Sequence, residues 1–262
     1  MKIRTLLAGC LLVPALLHAE TGVWSRIEGL LQFDTPQGNP QLETYLKSLT
    51  RPQMLAAARE CCIEAEKRVP KEDWAGVVLG VALALYNYGD QEGALSDDAL
   101  NPLLDCIASE KEGELFRETI LRVLRQRYWE PMTEDQRRQS RHRFLAVLAD
   151  KEAPERLRVL SCREFTHATT ERHRRIVISD KNVRPLRSDG RKWLRVDDLV
   201  RKGDVSLEDE TRQALKALYN EIEAATPTLT ALSQDTAESS TVKDCARDAL
   251  KTLANLPVVS GK

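Results

Sequence analysis

The chain has 262 residues, of which 42% are hydrophobic, 30% are charged and only 5% are aromatic. This supply of apolar side chains argues against a disordered chain, and the excess of charged over aromatic residues is typical of amphipathic helices with solvated outer faces. The formal net charge of −1 provides no general attraction to nucleic acid, so a nucleic-acid partner is not expected.

The first residues have the layout of a secretory signal peptide. Lys2 and Arg4 precede an apolar run over residues 6–17, and the small residue Ala19 follows at a position where a peptidase can cut. The sequence therefore predicts that residues 1–19 are removed and that the protein is exported, either to the periplasm or out of the cell.

A second type of export signal overlaps the first. Residues 7–10, Leu-Ala-Gly-Cys, resemble the lipobox at which bacterial lipoproteins are cut and then lipidated on the cysteine. Cleavage before Cys10 would leave a very short signal, and the apolar run would continue beyond the lipid. A lipid-anchored structural component of the envelope, attached through Cys10, is therefore the minor alternative.

Helix-start signals recur along the rest of the chain. Pro52 suits the first turn of a helix, Thr133 and Gln136 have capping-box spacing, and Ser206 precedes an acidic first turn. Thr226-Pro227 predicts a further helix start. Together these signals predict an all-α fold.

The stretch over residues 74–88 is apolar on all sides. It is shorter than the roughly 20 residues that a helix needs to cross a bilayer. We therefore expect a buried core helix there and no transmembrane segment in the mature chain.

A faint internal repeat indicates that the helices form pairs. Residues 103–109 align without a gap on residues 144–150, at an offset of 41, and the match continues with Arg117 on Arg158. A third copy begins at Leu229. Each copy contains an apolar helix end, a short polar turn and a second helix with a basic residue near its start.

These segments resemble the HEAT and armadillo class of helical repeats, most clearly over residues 241–253, which look like the inner helix of a HEAT unit. The resemblance implies a single domain over residues 20–262, built as a HEAT-like α-solenoid of stacked antiparallel helix pairs. It also implies a noncatalytic scaffold whose exposed face binds another macromolecule. An irregular helical bundle is the alternative, because any antiparallel bundle spaces its apolar residues in a similar way.

One segment departs from the helical period. Residues 174–179 and 192–196 have the β-branched or alternating pattern of strands, and residues 188–191, Ser-Asp-Gly-Arg, are typical of a hairpin turn. We therefore expect a small β-hairpin or structured loop near residues 174–200, within an insertion over residues 174–205. Such insertions often lie on the binding face of a repeat array.

The strongest binding signal is a local excess of positive charge. Residues 156–202 contain fourteen Arg or Lys and six Asp or Glu. Arginine binds carboxylates and phosphates in a bidentate manner, and an indole ring can stack on it. The predicted binding residues are Arg172, Arg174, Arg175, Arg184, Arg187, Arg191, Lys192, Trp193 and Arg195.

The expected partner of this surface is an acidic protein or an anionic polymer of the envelope. In the alternative interpretation the arginines form a solvated face and pair with the acidic segment over residues 204–210.

No motif for catalysis, metal or cofactor binding is found, and none of these is expected. Glu164 and His167 form a single E-x-x-H, whereas a di-iron carboxylate bundle needs two. The alternative function is a hydrolase or lyase on a helical scaffold, with its acid and base drawn from Glu164, His167 and their neighbours.

Five cysteines remain after signal removal, and none has C-x-x-C spacing. Each falls within a helical pattern, where cysteine commonly acts as a small buried apolar residue. One disulfide is the alternative.

Overall fold

The computed structural model describes residues 48–74, 81–82, 85, 88–89, 95–183 and 206–256. Within these ranges the secondary structure is helical and contains no β-strand, which confirms the all-α class. The chain divides into two compact units between Leu85 and Tyr86. The predicted signal peptide over residues 1–19, including Cys10, lies outside the described residues.

The N-terminal unit contains helix α1, Arg51–Arg68, followed by a 3₁₀ turn over Lys71–Asp73. A capping box starts α1: the Thr50 backbone N–H donates to Gln53 Oε1 at 2.9 Å. Pro52 lies in the first turn, as predicted. The buried face of α1 carries mostly small side chains, namely Met54, Ala57, Ala58, Cys61, Cys62 and Ala65.

The apolar stretch over residues 74–88 is described only in part. Trp74, Val81, Ala82 and Leu85 are helical and buried, in agreement with the predicted core helix. The intervening residues lie outside the described ranges. No helix in the part of the chain that the structure describes is long and apolar enough to cross a membrane.

The C-terminal unit contains three helix pairs in its described ranges. The first pair is α2, Asp97–Ala108, and α3, Glu114–Val123, which continues as a π-helical turn over Leu124–Tyr128. The second pair is α4, Glu134–Ala149, and α5, Glu155–Ser179. The third pair is α6, Asp209–Gln234, and α7, Ser240–Ala254.

The three pairs pack on one another in chain order. The first helices are in contact, α2 with α4 and α4 with α6, and so are the second helices, α3 with α5 and α5 with α7; α6 also packs on α5, more extensively than on α4. Each helix also packs on its partner within the pair. The shared core is fully buried at Leu103, Ile107, Phe116, Phe144 and Leu157. Apolar faces of successive pairs thus cover one another.

The turns inside the three pairs have the same hydrogen bonds. Each first helix is followed by Ser109, Asp150 or Asp235, whose side-chain oxygen accepts from the backbone N–H two residues later, at 3.3, 3.0 and 2.9 Å respectively. The carbonyl oxygen of the same residue accepts from the N–H three residues later, at 3.2 Å in all three turns. Ser and Asp favour such turns because their side chains replace a backbone acceptor.

A buried arginine closes the first two turns. Arg117 Nε donates to the Ile107 carbonyl oxygen at 2.8 Å, and Arg158 Nε donates to the Leu148 carbonyl oxygen at 3.0 Å. These bonds satisfy carbonyls that the end of a helix leaves without a partner. Arg158 also forms a bidentate pair with Glu238 in the next turn, at 2.9 and 2.6 Å. The second pair is thereby connected to the third.

Two helix boundaries differ from the predicted ones. Helix α4 starts as predicted, because Gln136 N–H donates to Thr133 Oγ1 at 3.2 Å and the Gln136 side chain accepts from Thr133 N–H at 3.0 Å. Helix α6 starts at Asp209, after Glu208, rather than directly after Ser206. The helix start predicted at Thr226-Pro227 is wrong, because both residues lie inside α6.

The strand predicted over residues 174–179 is also wrong, since these residues are the last turns of α5. Their β-branched side chains pack as part of a helix: Val177 joins a buried cluster with Val183, Leu207 and Leu215. Such tertiary contacts outweigh a weak β propensity. The rest of the predicted insertion over residues 184–205, including the expected hairpin, lies outside the described residues.

We predict that substitutions at the two equivalent arginines have unequal effects. Arg158→Met should lower the free energy of unfolding by about 3 kcal/mol, because it leaves the Glu238 carboxylate buried without its partner; the Glu238 side chain is only 7% exposed. Arg117→Met should cost about 1 kcal/mol, because only a carbonyl acceptor loses its donor. Urea denaturation at pH 7 measures both values, and equal losses would contradict the bridging role of Arg158.

Candidate binding groove

The second helices of the three pairs border a groove in the C-terminal unit. The groove has a volume of about 900 Å³ and is lined by the π-helical end of α3, by α5 and by α7. The packing of α3 on α5 and of α5 on α7 places these helices side by side, and α5 also packs on α6.

The α5 wall of the groove is basic and carries hydroxyl groups. Arg163, Thr166, His167, Thr170 and Arg174 line it. They recur every three or four residues, so the helical period places them on one face. Arg174 is exposed at the far end of this wall.

The α7 wall is acidic. Asp244 and Asp248 line it together with Thr241, Cys245 and Thr252, again at helical spacing. Arg247 Nη1 lies 2.7 Å from Asp244 Oδ1, so part of this negative charge is already compensated. The two walls therefore differ in sign.

Arg125 connects α3 to α5 beside the groove. Its Nη2 donates to Glu171 Oε2 at 2.6 Å, and its guanidinium lies 5.2 Å from the centre of the Trp129 ring. Arg125 Nη2 also lies 2.5 Å from His167 Nδ1. Arginine can only donate, so Nδ1 accepts and the His167 proton is assigned to Nε2. The π-helical turn that carries Arg125 is a feature often found at functional sites.

Two carboxyl groups beside Arg125 have opposite pKa shifts. Burial alone would raise the pKa of Glu171, but the hydrogen bonds from Arg175 and the charge of Arg125 hold it below its usual range. Burial raises the pKa of Glu164, and the charge of Arg125, 3.3 Å away, offsets this only in part. The charged form of Glu171 is therefore stabilised, whereas burial of Glu164 disfavours its charged form more than Arg125 favours it.

Of the three predicted binding arginines that the structure describes, Arg172, Arg174 and Arg175, only Arg174 lines the groove. Arg172 is largely buried and lies 2.6 Å from Glu221 Oε1 and 2.8 Å from Glu134 Oε1. Arg175 pairs with Glu171 at 2.6 Å and with Glu130. The idea that the arginines pair with the segment over residues 204–210 is thus wrong for Arg172 and Arg175.

The remaining predicted binding residues lie outside the described residues. They are Arg184, Arg187, Arg191, Lys192, Trp193 and Arg195.

The pairing of Arg172 belongs to a buried ionic network. Arg141, which is 1% exposed, lies 2.9 Å from Glu221 and 3.0 Å from Glu134. Burial alone would raise the pKa of Glu221, but Arg141 and Arg172 hold it below its usual range. Arg172 therefore stabilises the contact of α4 and α5 with α6 and is not available as a binding residue.

Several groove residues were missed in the sequence. Asp244 and Asp248 show helical spacing, which could have identified a polar face on α7. Arg125 lies outside the basic segment, and its contact with Glu171 spans 46 positions, so no local pattern could have predicted it.

The described part of the chain contains no group of three or more His, Cys, Asp or Glu that could hold a metal ion. Its five cysteines are thiols that form no disulfide: Cys61, Cys62, Cys106 and Cys162 are buried, and Cys245 is partly exposed.

Comparison with known proteins finds no matching family model, and neither a curated protein nor a solved structure matches the chain significantly.

We predict that neutralising the two carboxyl groups has different effects. Glu171→Gln should lower the free energy of unfolding at pH 7 by about 1.5 kcal/mol, because it weakens charge-assisted hydrogen bonds. Glu164→Gln should leave it unchanged or raise it slightly, because the charged form of Glu164 is disfavoured by burial. Urea denaturation of both variants tests this, and a larger loss for Glu164→Gln would contradict it.

The pH dependence of the same variants provides a second measurement. A glutamate whose pKa is lower in the folded state than in the unfolded state, where it is about 4.3, stabilises the fold at higher pH. This stabilisation is lost as the pH falls through the folded-state pKa. Glu171→Gln should therefore reduce the loss of stability between pH 5 and more acidic conditions. The raised pKa of Glu164 has the opposite sign, so Glu164→Gln should make that loss steeper.

Proposed function

We propose that the protein is an exported, noncatalytic helical-repeat scaffold, and that its groove binds an acidic segment of a partner protein. The C-terminal unit would then be a HEAT-like α-solenoid whose second helices form the binding face. Supporting this proposal is the repeated hydrogen bonding of the turns at Ser109, Asp150 and Asp235. Their spacing of 41 and 85 residues equals the spacing of the three aligned sequence copies.

The order of helix contacts supports the same arrangement. In a solenoid each repeat contacts only its neighbours, first helix on first helix and second on second. The contacts of α2 with α4 and of α3 with α5, followed by α4 with α6 and α5 with α7, have this order, and α5 packs on α6 in addition. The same turn geometry also follows α5, at Asp180, so it is the spacing of the turns inside the pairs that supports the repeat.

The groove suits an extended segment rather than a small apolar ligand. Both walls carry charged and hydroxyl side chains along several helical turns, which can contact successive polar groups of an extended chain. Solenoids commonly bind partners along such extended surfaces.

The charge along α5 supports an acidic partner. Arg163 and Arg174 line the groove, Glu171 between them is paired with Arg125 and Arg175, and in the sequence the basic stretch continues through residues 184–195. The acidic α7 wall would repel an acidic segment that lay against α7 instead of α5, so it contributes orientation and specificity. The alternative occupant is an anionic envelope polymer.

The enzyme alternative would rest on His167 and its neighbour Glu171 rather than on Glu164. Glu164 lies 3.3 Å from Arg125 and does not line the groove, whereas His167 and Glu171 both line it, with Glu171 Oε2 3.7 Å from His167 Nδ1. Acid-base catalysis requires both groups to reach one substrate, and Glu171 is already paired with Arg125 and Arg175.

Charge reversal on the α5 wall should abolish binding of an acidic segment. With a short fluorescein-labelled polyglutamate peptide, Arg163→Glu with Arg174→Glu should weaken binding at least about tenfold, equivalent to about 1.4 kcal/mol. Fluorescence anisotropy at low ionic strength measures this, and added salt should weaken binding to the unmodified chain.

The matched control is Arg138→Glu, because Arg138 is exposed on α4 and does not line the groove. An affinity that is unchanged by the double reversal, or reduced equally by the control, would contradict the proposal. Stronger binding of an acidic polysaccharide than of polyglutamate would instead favour the envelope-polymer alternative. Reversal of Arg187, Arg191 and Arg195 separately tests the predicted role of the basic segment.

A further inference from the structure

Two thiols meet where α5 packs on α7. Cys162 on α5 is fully buried, and Cys245 on α7 is partly exposed and lines the groove. Cys245 Sγ lies 3.7 Å from the carbonyl oxygen of Val159, which precedes Cys162 by about one helical turn. This hydrogen bond, together with the packing of α5 on α7, places Cys162 and Cys245 at the same level of the contact between the two helices.

The two cysteines differ in access and in charge environment. The hydrogen bond with Cys162 lowers the pKa of Cys245, and the nearby Arg163 adds to this against the effect of burial. The same hydrogen bond, together with burial, raises the pKa of Cys162. Because the thiolate is the nucleophile, Cys245 is the thiol that can react first with a reagent from the groove.

We propose that Cys245 and Cys162 form a redox-active thiol pair that a low-molecular-weight disulfide oxidises to a disulfide bond between α5 and α7. This inference does not depend on the proposed binding function, because it rests on the contact between the two helices alone.

The reaction takes place in two balanced exchange steps. The Cys245 thiolate attacks one sulfur of the small disulfide, forms a mixed disulfide and releases one small thiolate, which takes up a proton. Cys162 then loses its proton to solvent, and its thiolate attacks Cys245 Sγ and releases the second small thiolate. The protein loses two protons and two electrons, and one small disulfide is reduced to two thiols.

The arrangement provides a reason for the second step. The hydrogen bond to Cys245 is the largest cause of the raised pKa of Cys162, and it changes once Cys245 is a mixed disulfide. A disulfide requires a sulfur–sulfur distance of about 2.05 Å. The two sulfur atoms must therefore approach each other across the contact between α5 and α7.

The other described cysteines serve as internal controls. Cys61, Cys62 and Cys106 are buried and do not line the groove. Burial raises the pKa of Cys61 to about 12, so this thiol should not react at neutral pH.

The experiment uses the full mature chain with all of its cysteines. The reduced protein is incubated with oxidised glutathione at pH 7.5, quenched with acid, alkylated and analysed by intact mass and peptide mapping. We expect loss of two hydrogens, a cross-linked peptide that joins Cys162 to Cys245, and alkylation of the other three thiols. A persistent glutathione adduct on Cys245 of the unmodified chain, or no reaction at Cys245, would overturn the proposal.

Two variants identify the order of events. Cys162→Ala should accumulate one stable glutathione adduct on Cys245, whereas Cys245→Ala should form neither an adduct nor a cross-link at Cys162. An adduct on Cys162 in the second variant would contradict the assigned order. If either variant fails to fold, as judged by circular dichroism, the peptide map of the unmodified chain still decides whether the disulfide forms.

Discussion

The arrangement of the C-terminal unit depends on a buried arginine in the first turn of a second helix, bonded to the end of the helix before it. Arg117 and Arg158 occupy this position and donate to the carbonyl oxygens of Ile107 and Leu148. A buried guanidinium is costly unless it is paired. Arg158 is paired both with the Leu148 carbonyl oxygen and with the Glu238 carboxylate, and the second of these contacts connects the second pair to the third.

The candidate groove depends on how the second helices pack. The contacts of α3 with α5 and of α5 with α7 place these helices side by side. Arg163 and Arg174 on α5 then line the same groove as Asp244 and Asp248 on α7. The same packing places Cys245 beside Val159, about one helical turn before Cys162. The candidate groove and the thiol pair are thus two consequences of a single packing arrangement.

Local chemistry in the sequence predicted the class of fold and part of its detail. The capping box of Thr133 and Gln136 and the alignment of Arg117 with Arg158 depend on residues close in the chain, and the hydrogen bonds of both features agree with these expectations. The strand expected over residues 174–179 failed because Val177 packs as part of a helix. Local propensity carries no information about that contact.

The candidate site was harder to predict, because the ion-pair partners of its charged side chains are distant in the sequence. The segment around Arg174 was identified as basic, yet Arg172 pairs with Glu221, 49 positions away. An excess of arginine in a sequence does not distinguish a binding surface from a buried ionic network. Only the fold shows that Arg172 belongs to the network and that Arg174 lies in the groove.

The central claim is that Arg158 acts between helix pairs and not only within its own. A double-mutant cycle tests it most directly: urea denaturation of the unmodified chain, Arg158→Met, Glu238→Gln and the double variant gives the coupling free energy of the two side chains. We predict a coupling of about 2 kcal/mol, within the range found for residues in contact in one ionic network. Additive effects, with a coupling below about 0.5 kcal/mol, would contradict the claim.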